Sequence, residues 1–224
     1  MQGQNTAHRD KRCRRKYRID QNDEVRWLQQ YYGCFEKNML VLDLGCGYGA
    51  NIDDLLSKGV HVTAADASKE ALESVKSSFH PLLVDTVHFD MRHRFPLLDH
   101  EFDVIVADLS LHYGKRKTME HITGEMCRVL KPDGRLIARV NTRQKNPVGY
   151  ARWEQTPSGL GMKTEEKSFL TVDELLESFS AWNVDYTEEK ITHCFAKHRK
   201  TIIFTAKLKN GSIPCGKGET VISQ

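Results

Sequence analysis

Leu40-Val41-Leu42-Asp43-Leu44-Gly45-Cys46-Gly47-Tyr48-Gly49-Ala50-Asn51 is the stretch from which the fold of this chain can be read. An apolar run ending in glycines reads as a buried strand over residues 39–44 that empties into a tight turn, with a helix restarting near Ala50. Glycine at every second position lets the backbone take positive φ and lets a ligand lie against the main chain. The free N–H groups of a following helix suit a phosphate or a carboxylate. A turn that needs glycine for packing alone is the plain alternative. For the ligand, Gly45-x-Gly47-x-x-Ala50 satisfies the dinucleotide pattern, with Asp66 near the position of a ribose-binding acid. Asp43 argues against that pattern, because a carboxylate two residues before the first glycine would repel a pyrophosphate. A cationic ligand is the better partner.

With that acid in place, Asp43-Leu44-Gly45-Cys46-Gly47-Tyr48-Gly49 resembles the D/E-x-G-x-G-x-G signature of class I S-adenosylmethionine-dependent methyltransferases. That cofactor carries a sulfonium and an ammonium and no phosphate. The resemblance implies that Asp43, Leu44, Gly45, Cys46, Gly47, Tyr48 and Gly49 hold the amino acid end of S-adenosylmethionine. It also implies that Asp66, with Ala67 beside it, takes the ribose, that Asp90 takes the adenine amino group and that Met91 packs on the ring. In such proteins the end of the fourth strand lies beneath the methyl group, which puts Asp108, Leu109, His112 and Tyr113 beside it. His112 is then the candidate general base and Tyr113 the candidate to orient the acceptor or face the sulfonium. Lining the pocket is the plainer role for both, since methyl transfer to a good nucleophile needs chiefly in-line positioning.

The rest of the chain alternates in the manner of βαβ units, which predicts a mostly parallel sheet with helices on both faces. Strands are predicted over 61–66, 86–90, 102–109 and 135–141, each early one ending in an acid, and helices over 50–58, 69–77 and 118–129. Ser68 is the expected cap of the second of these helices, leaving Asp66 free for a ligand. The turn Leu130-Lys131-Pro132-Asp133-Gly134 is frequent in the same family, so the resemblance covers residues 39–141. The spacing of Val25, Leu28, Tyr31, Tyr32 and Phe35 predicts an amphipathic helix over 24–35, and the resemblance implies that it packs beside the cofactor pocket. After a long segment, 142–170, a capping box at Thr171 to Glu174 opens another helix, and strands over 182–192 and 200–208 close the sheet as an antiparallel hairpin. The expected architecture is a single Rossmann-like α/β domain with seven strands.

The domain is expected over residues 23–208. Residues 1–22 read as a basic flexible arm and 209–224 as a disordered tail. The segment 142–170 leaves the ligand edge of the sheet and offers Tyr150, Trp153 and Glu154 for acceptor contacts, although an ordinary surface loop would look the same.

The chain has 224 residues and a formal net charge of +3, too small an excess to name a partner. It contains no apolar run of about 18 residues and a polar, basic N-terminus, so no membrane span or secretory signal is expected and the cytoplasm is the expected location. Six cysteines without a C-x-x-C pair suggest reduced thiols, and ten histidines without zincin spacing leave no metal site expected. Seven Lys or Arg among residues 9–18 could bind nucleic acid through phosphates, or form a solvated arm.

Methyl transfer to a small molecule is the expected function. No N-P-P-Y-like sequence follows the fourth strand, where Asp108-Leu109-Ser110-Leu111 stands, and no recognition domain is apparent. RNA or protein as acceptor is one alternative, and a non-catalytic S-adenosylmethionine sensor or scaffold is another. The oligomeric state is left open.

Overall fold

The computed structural model describes residues 27–111, 116–141, 172–194 and 197–209. A 3₁₀ helix, Trp27–Cys34, leads into β1 (Leu40–Leu44), α1 (Ile52–Leu56), β2 (His61–Asp66), α2 (Lys69–Ser78), β3 (Val84–His88) and β4 (Phe102–Asp108). α3 (Arg116–Val129), β5 (Leu130–Asn141), α4 (Val172–Ser178), β6 (Trp182–Cys194) and β7 (Lys197–Leu208) follow. The seven strands form one sheet in the order β3-β2-β1-β4-β5-β7-β6. β1 to β5 pair in parallel, and β7 runs antiparallel to both β5 and β6. This is the expected seven-stranded Rossmann-like sheet with its closing hairpin.

Strand alternation explains the three-layer arrangement. Along β4, Val104 and Val106 join the cluster beneath the 3₁₀ helix, α1 and α2, where Trp27, Leu28, Tyr31, Leu55 and Val75 are buried. Ile105 and Ala107 turn to the opposite face, under Met119, Met126, Leu175 and Phe179 of the α3 and α4 side. A parallel sheet buried on both faces must be apolar at nearly every position, and so the middle strands are continuous Val, Leu, Ile and Ala.

Boundaries differ from expectation where local chemistry intervenes. The helix predicted over 24–35 is, in its described part, a 3₁₀ helix of eight residues that buries Trp27, Leu28 and Tyr31. α1 is cut to Ile52–Leu56, since the glycine turn extends to Ala50 and Gly59, at φ 71°, ends the following turn. β3 begins at Val84 and stops at His88, which leaves Asp90 outside it. β5 starts at Leu130, but its pairing jumps from Phe102–Leu130 to Val104–Arg135, so Lys131 to Gly134 bulge out as the expected turn. Ser68 caps α2 as predicted, its hydroxyl accepting from the Ala71 N–H at 3.2 Å.

The basic arm, the segment 142–170 and the tail after 209 lie outside the described residues. Among those described, no helix is long and apolar enough to cross a membrane, and no group of three or more His, Cys, Asp or Glu is arranged to hold a metal ion.

Candidate cofactor site

The glycine loop leaves β1 pinned to the end of β2. The Gly45 and Cys46 N–H groups donate to the Ala65 carbonyl at 2.7 and 3.0 Å. Asp66 then braces the loop from its other side: one carboxylate oxygen accepts from the Gly47 N–H at 2.9 Å and the other from the Ser68 N–H at 2.8 Å. A carboxylate has about four acceptor positions, so Asp66 retains lone pairs for ribose hydroxyls. Ala67 is exposed beside it, and its carbonyl lies 3.0 Å from His88 Nε2. Tyr48 reaches outward, donating to Glu70 at 3.1 Å.

The loop glycines serve different ends. A Cβ on Gly45, at φ 76°, would lie 2.4 Å from Ser110 Cβ and 3.3 Å from Met91 Cε, so only glycine allows the loop to close on β4. A Cβ on Gly47, at φ 53°, would meet nothing within 4 Å. Its Cα therefore faces open space, while its N–H is taken by Asp66 and its carbonyl lies 3.5 Å from Cys46 Sγ. Gly49 packs against Ile52 and against Val75 and Phe79 on the α2 side. Leu44 is buried in the core, and its carbonyl accepts from the Ser110 hydroxyl at 2.7 Å. Cys46 is also buried; burial first, then the Asp43 and Asp66 charges, hold its thiol protonated, so it fills space and is no nucleophile.

The face of the sheet beneath the 3₁₀ helix holds a polar group that alternation accounts for. Asp43 follows Val41 on that face, Asp108 follows Val106, and Arg139 follows Ile137; Asp108 and Arg139 are register partners across β4 and β5. The Arg139 guanidinium grips Asp108 with two bonds, 2.6 Å from Nε and 2.9 Å from a terminal nitrogen. It also lies over the Trp27 ring, 5.1 Å from the centroid. The Trp27 indole N–H donates to Asn51 Oδ1 at 3.1 Å, and the Asn51 amide reaches Asp108 at 3.5 Å. Asp43 stands beside this ring of contacts, 0 % exposed, and neither of its oxygens has a hydrogen-bond partner. Burial, then the Asp108 and Asp66 charges, push its carboxyl up to about 8, against a smaller opposing effect of the nearby Asn51 amide.

An unpartnered buried carboxylate is rare and costly, and a cation beside it removes the cost. Together with the open space at Gly47, it fits the amino acid end and sulfonium of S-adenosylmethionine and not a pyrophosphate. Further along the rim, Asp90 sits in the turn after β3 and is chelated by Arg92, with contacts of 2.6 to 3.0 Å. The Arg92 contact holds its carboxyl below the usual range. Met91 reaches back to the glycine loop, its Cε 3.3 Å from where a Cβ on Gly45 would lie. Leu109 takes φ 52°, a strained left-handed conformation for a γ-branched residue, and its N–H donates to the Arg139 carbonyl at 2.7 Å. That turn carries Ser110 under Gly45. His112 and Tyr113 lie outside the described residues, as do Tyr150, Trp153 and Glu154.

Sequence reasoning missed Trp27, Asn51, Ser110 and Arg139. One signal was available: an arginine at an inward position of the otherwise apolar run 136–140 must be paired if the strand is central.

The fold is the Rossmann-like fold of S-adenosylmethionine-dependent methyltransferases. Residues 41–134 match the family model described as methyltransferase domain. Over 100 residues the chain is 33% identical to malonyl-[acyl-carrier protein] O-methyltransferase of Buchnera aphidicola subsp. Baizongia pistaciae (strain Bp), a match covering 45% of this chain and 38% of that protein's length. Among solved structures, a SAM-dependent methyltransferase from Methanosarcina mazei superposes with a TM-score of 0.63 at 22% identity, over 80% of this chain and 97% of the other. The 1,6-didemethyltoxoflavin-N1-methyltransferase of Burkholderia thailandensis, with bound 1,6-didemethyltoxoflavin and S-adenosylhomocysteine, superposes with a TM-score of 0.61 at 18% identity, over 83% and 76%. At such identities the structural likeness speaks for the fold.

Proposed function

We propose that this protein transfers a methyl group from S-adenosylmethionine to a small-molecule acceptor. The observation that carries the cofactor assignment is the buried, unpartnered Asp43 carboxylate at the mouth of a glycine loop whose middle residue faces open space. The cofactor, when bound, supplies an electrophilic methyl group on a sulfonium. The chain's own part is to bind and orient. Asp43 and the Gly45, Gly47 and Gly49 backbone hold the amino acid end; Asp66 takes the ribose hydroxyls with its remaining lone pairs; Asp90 and Met91 border the adenine. Asp108, locked by Arg139, and the strained Leu109 turn shape the wall on which the acceptor docks. Orientation of that kind can supply much of the rate acceleration without a dedicated base, so His112 and Tyr113 serve as acceptor contacts.

The small-molecule acceptor is supported by the toxoflavin-type substrate of the Burkholderia protein and by the absence from the sequence of a base-flipping motif after the fourth strand. Two measurements test the proposal. Calorimetry should show micromolar binding of S-adenosylmethionine to the wild type and a loss of at least about tenfold in Asp66→Ala, the cost of a charge-assisted hydrogen bond. Radiolabelled methyl transfer should enter the small-molecule fraction of a cell extract; label found in RNA or protein alone would refute the acceptor class.

A further inference from the structure

Three carboxylates converge where β1, β2 and β4 end, and they differ in what neutralises them. Asp108 carries a bidentate guanidinium from β5. Asp66 on β2 is held by two backbone N–H groups. Asp43 on β1, between them in the sheet, has neither, and it is fully enclosed. Among the described residues, the charged and titratable groups that act on it are Asp108, Asp66 and the Cys46 thiol, with no cation among them; Arg139 is committed to Asp108.

We propose that Asp43 couples cofactor binding to proton transfer, surrendering its carboxyl proton to solvent when the cationic cofactor enters and regaining one when it leaves. This rests on the S-adenosylmethionine reading above. Without the cofactor, a carboxylate in this place would be an unpaired buried charge beside two others, and the protonated form is the one the fold tolerates. A sulfonium or ammonium in van der Waals reach reverses that preference, because the ion pair forms where little water screens it. The proton balance is simple: one cation enters, one proton departs, and the net charge of the enclosed pocket is conserved.

The consequence is a cofactor affinity that depends on pH with a defined sign. Because the free carboxyl titrates near 8, the site is mostly protonated below that value. Each pH unit lost then weakens binding about tenfold. Working between about pH 5.5 and 7.5 keeps the cofactor's own α-amino group protonated, since such groups titrate near 8.

The test is isothermal calorimetry of S-adenosylmethionine binding to the full chain, repeated in buffers of different ionisation enthalpy. Close to one proton should be released per cofactor bound at pH 6.5, and Kd should tighten about a hundredfold from pH 5.5 to 7.5. Asp43→Asn should bind more weakly, release no proton and show a flat Kd over the same range. Should that variant fail to fold, the wild-type proton count and slope stand as the test. Binding without proton release, or a slope that persists in Asp43→Asn, overturns the inference while leaving the cofactor assignment intact. Failure of the wild type to bind S-adenosylmethionine at any pH would overturn the assignment itself.

Discussion

Asp103 and Asp43 lie on neighbouring strands at opposite edges of the sheet, and their surroundings are opposite too. Asp103, near the start of β4, accepts from the Leu40 N–H at 2.8 Å and pairs with Lys131 at 2.7 Å, so it ties β1, β4 and the bulge near the start of β5 together. Asp43, near the end of β1, is more deeply buried, and neither of its oxygens takes a hydrogen bond, although the Asn51 amide lies close by. A carboxylate whose oxygens are occupied by the protein is part of the scaffold; one that the fold encloses and leaves empty is held ready for something the fold does not contain. The edge with the empty acid also holds the glycine loop and the left-handed Leu109; at the other edge the left-handed residues are Asn38, at φ 69°, and His100, at φ 54°.

The most severe test of this contrast is Arg139→Met. It removes the guanidinium that pairs with Asp108 and leaves that acid uncompensated at about one-tenth exposure, which should cost about 3–5 kcal/mol in urea unfolding. The double variant Arg139→Met with Asp108→Leu should recover most of that loss. If the single variant is as stable as the wild type, the buried pair is not what holds this edge.

Asp43→Asn should act in the other direction on the cofactor-free protein. The Asp43 carboxyl keeps its proton up to about pH 8 when folded and releases it near 3.8 when unfolded. The folded state therefore holds the extra proton between those values, and stability falls as pH rises through that window, by up to about 1.4 kcal/mol per unit. Thermal melts of the asparagine variant should lack this decline, making it the more stable protein at pH 7.5 although it binds cofactor less well. Equal pH profiles for the two would remove the contrast with Asp103.

A smaller effect is expected at the satisfied edge. Asp103→Ala should lower stability by about 1.5 kcal/mol, the worth of a charge-assisted hydrogen bond, and leave S-adenosylmethionine affinity unchanged. Smallest is Gly47→Ala: its added Cβ meets no atom of the protein, so the stability cost is about 1 kcal/mol for a left-handed alanine. Its cofactor affinity should fall nonetheless, since the methyl group projects where the ligand lies. Unchanged affinity would show that Gly47 does not face the cofactor.

Much of this was legible before any coordinates. Asp43, Asp66 and the glycine turn stand where the alternation of apolar strands and amphipathic helices puts them, and Ser68 caps α2 with Asp66 beside it as the residue order implied. Asp90 was legible only in part. It was expected as the last residue of the third strand, but that strand stops at His88, and Arg92, two residues on from Asp90, folds back to chelate it, a local contact that strand patterning does not reveal. Arg139 was hidden for another reason. Its partner is 31 residues away, and which acid it meets depends on the β4–β5 register, which the Lys131 to Gly134 bulge sets.

The sequence by itself determined the order of the elements and the strand ends at which the glycine turn and the acids stand, because periodicity, turn chemistry and the sign of a charge are properties of neighbouring residues. Only the tertiary structure decided which acid is left without a partner. Pairing and desolvation depend on strands brought together from distant parts of the chain: β5 carries its arginine to Asp108, the 3₁₀ helix lays Trp27 over that pair, and Asp43, one strand away on the same face, is enclosed with no cation of its own.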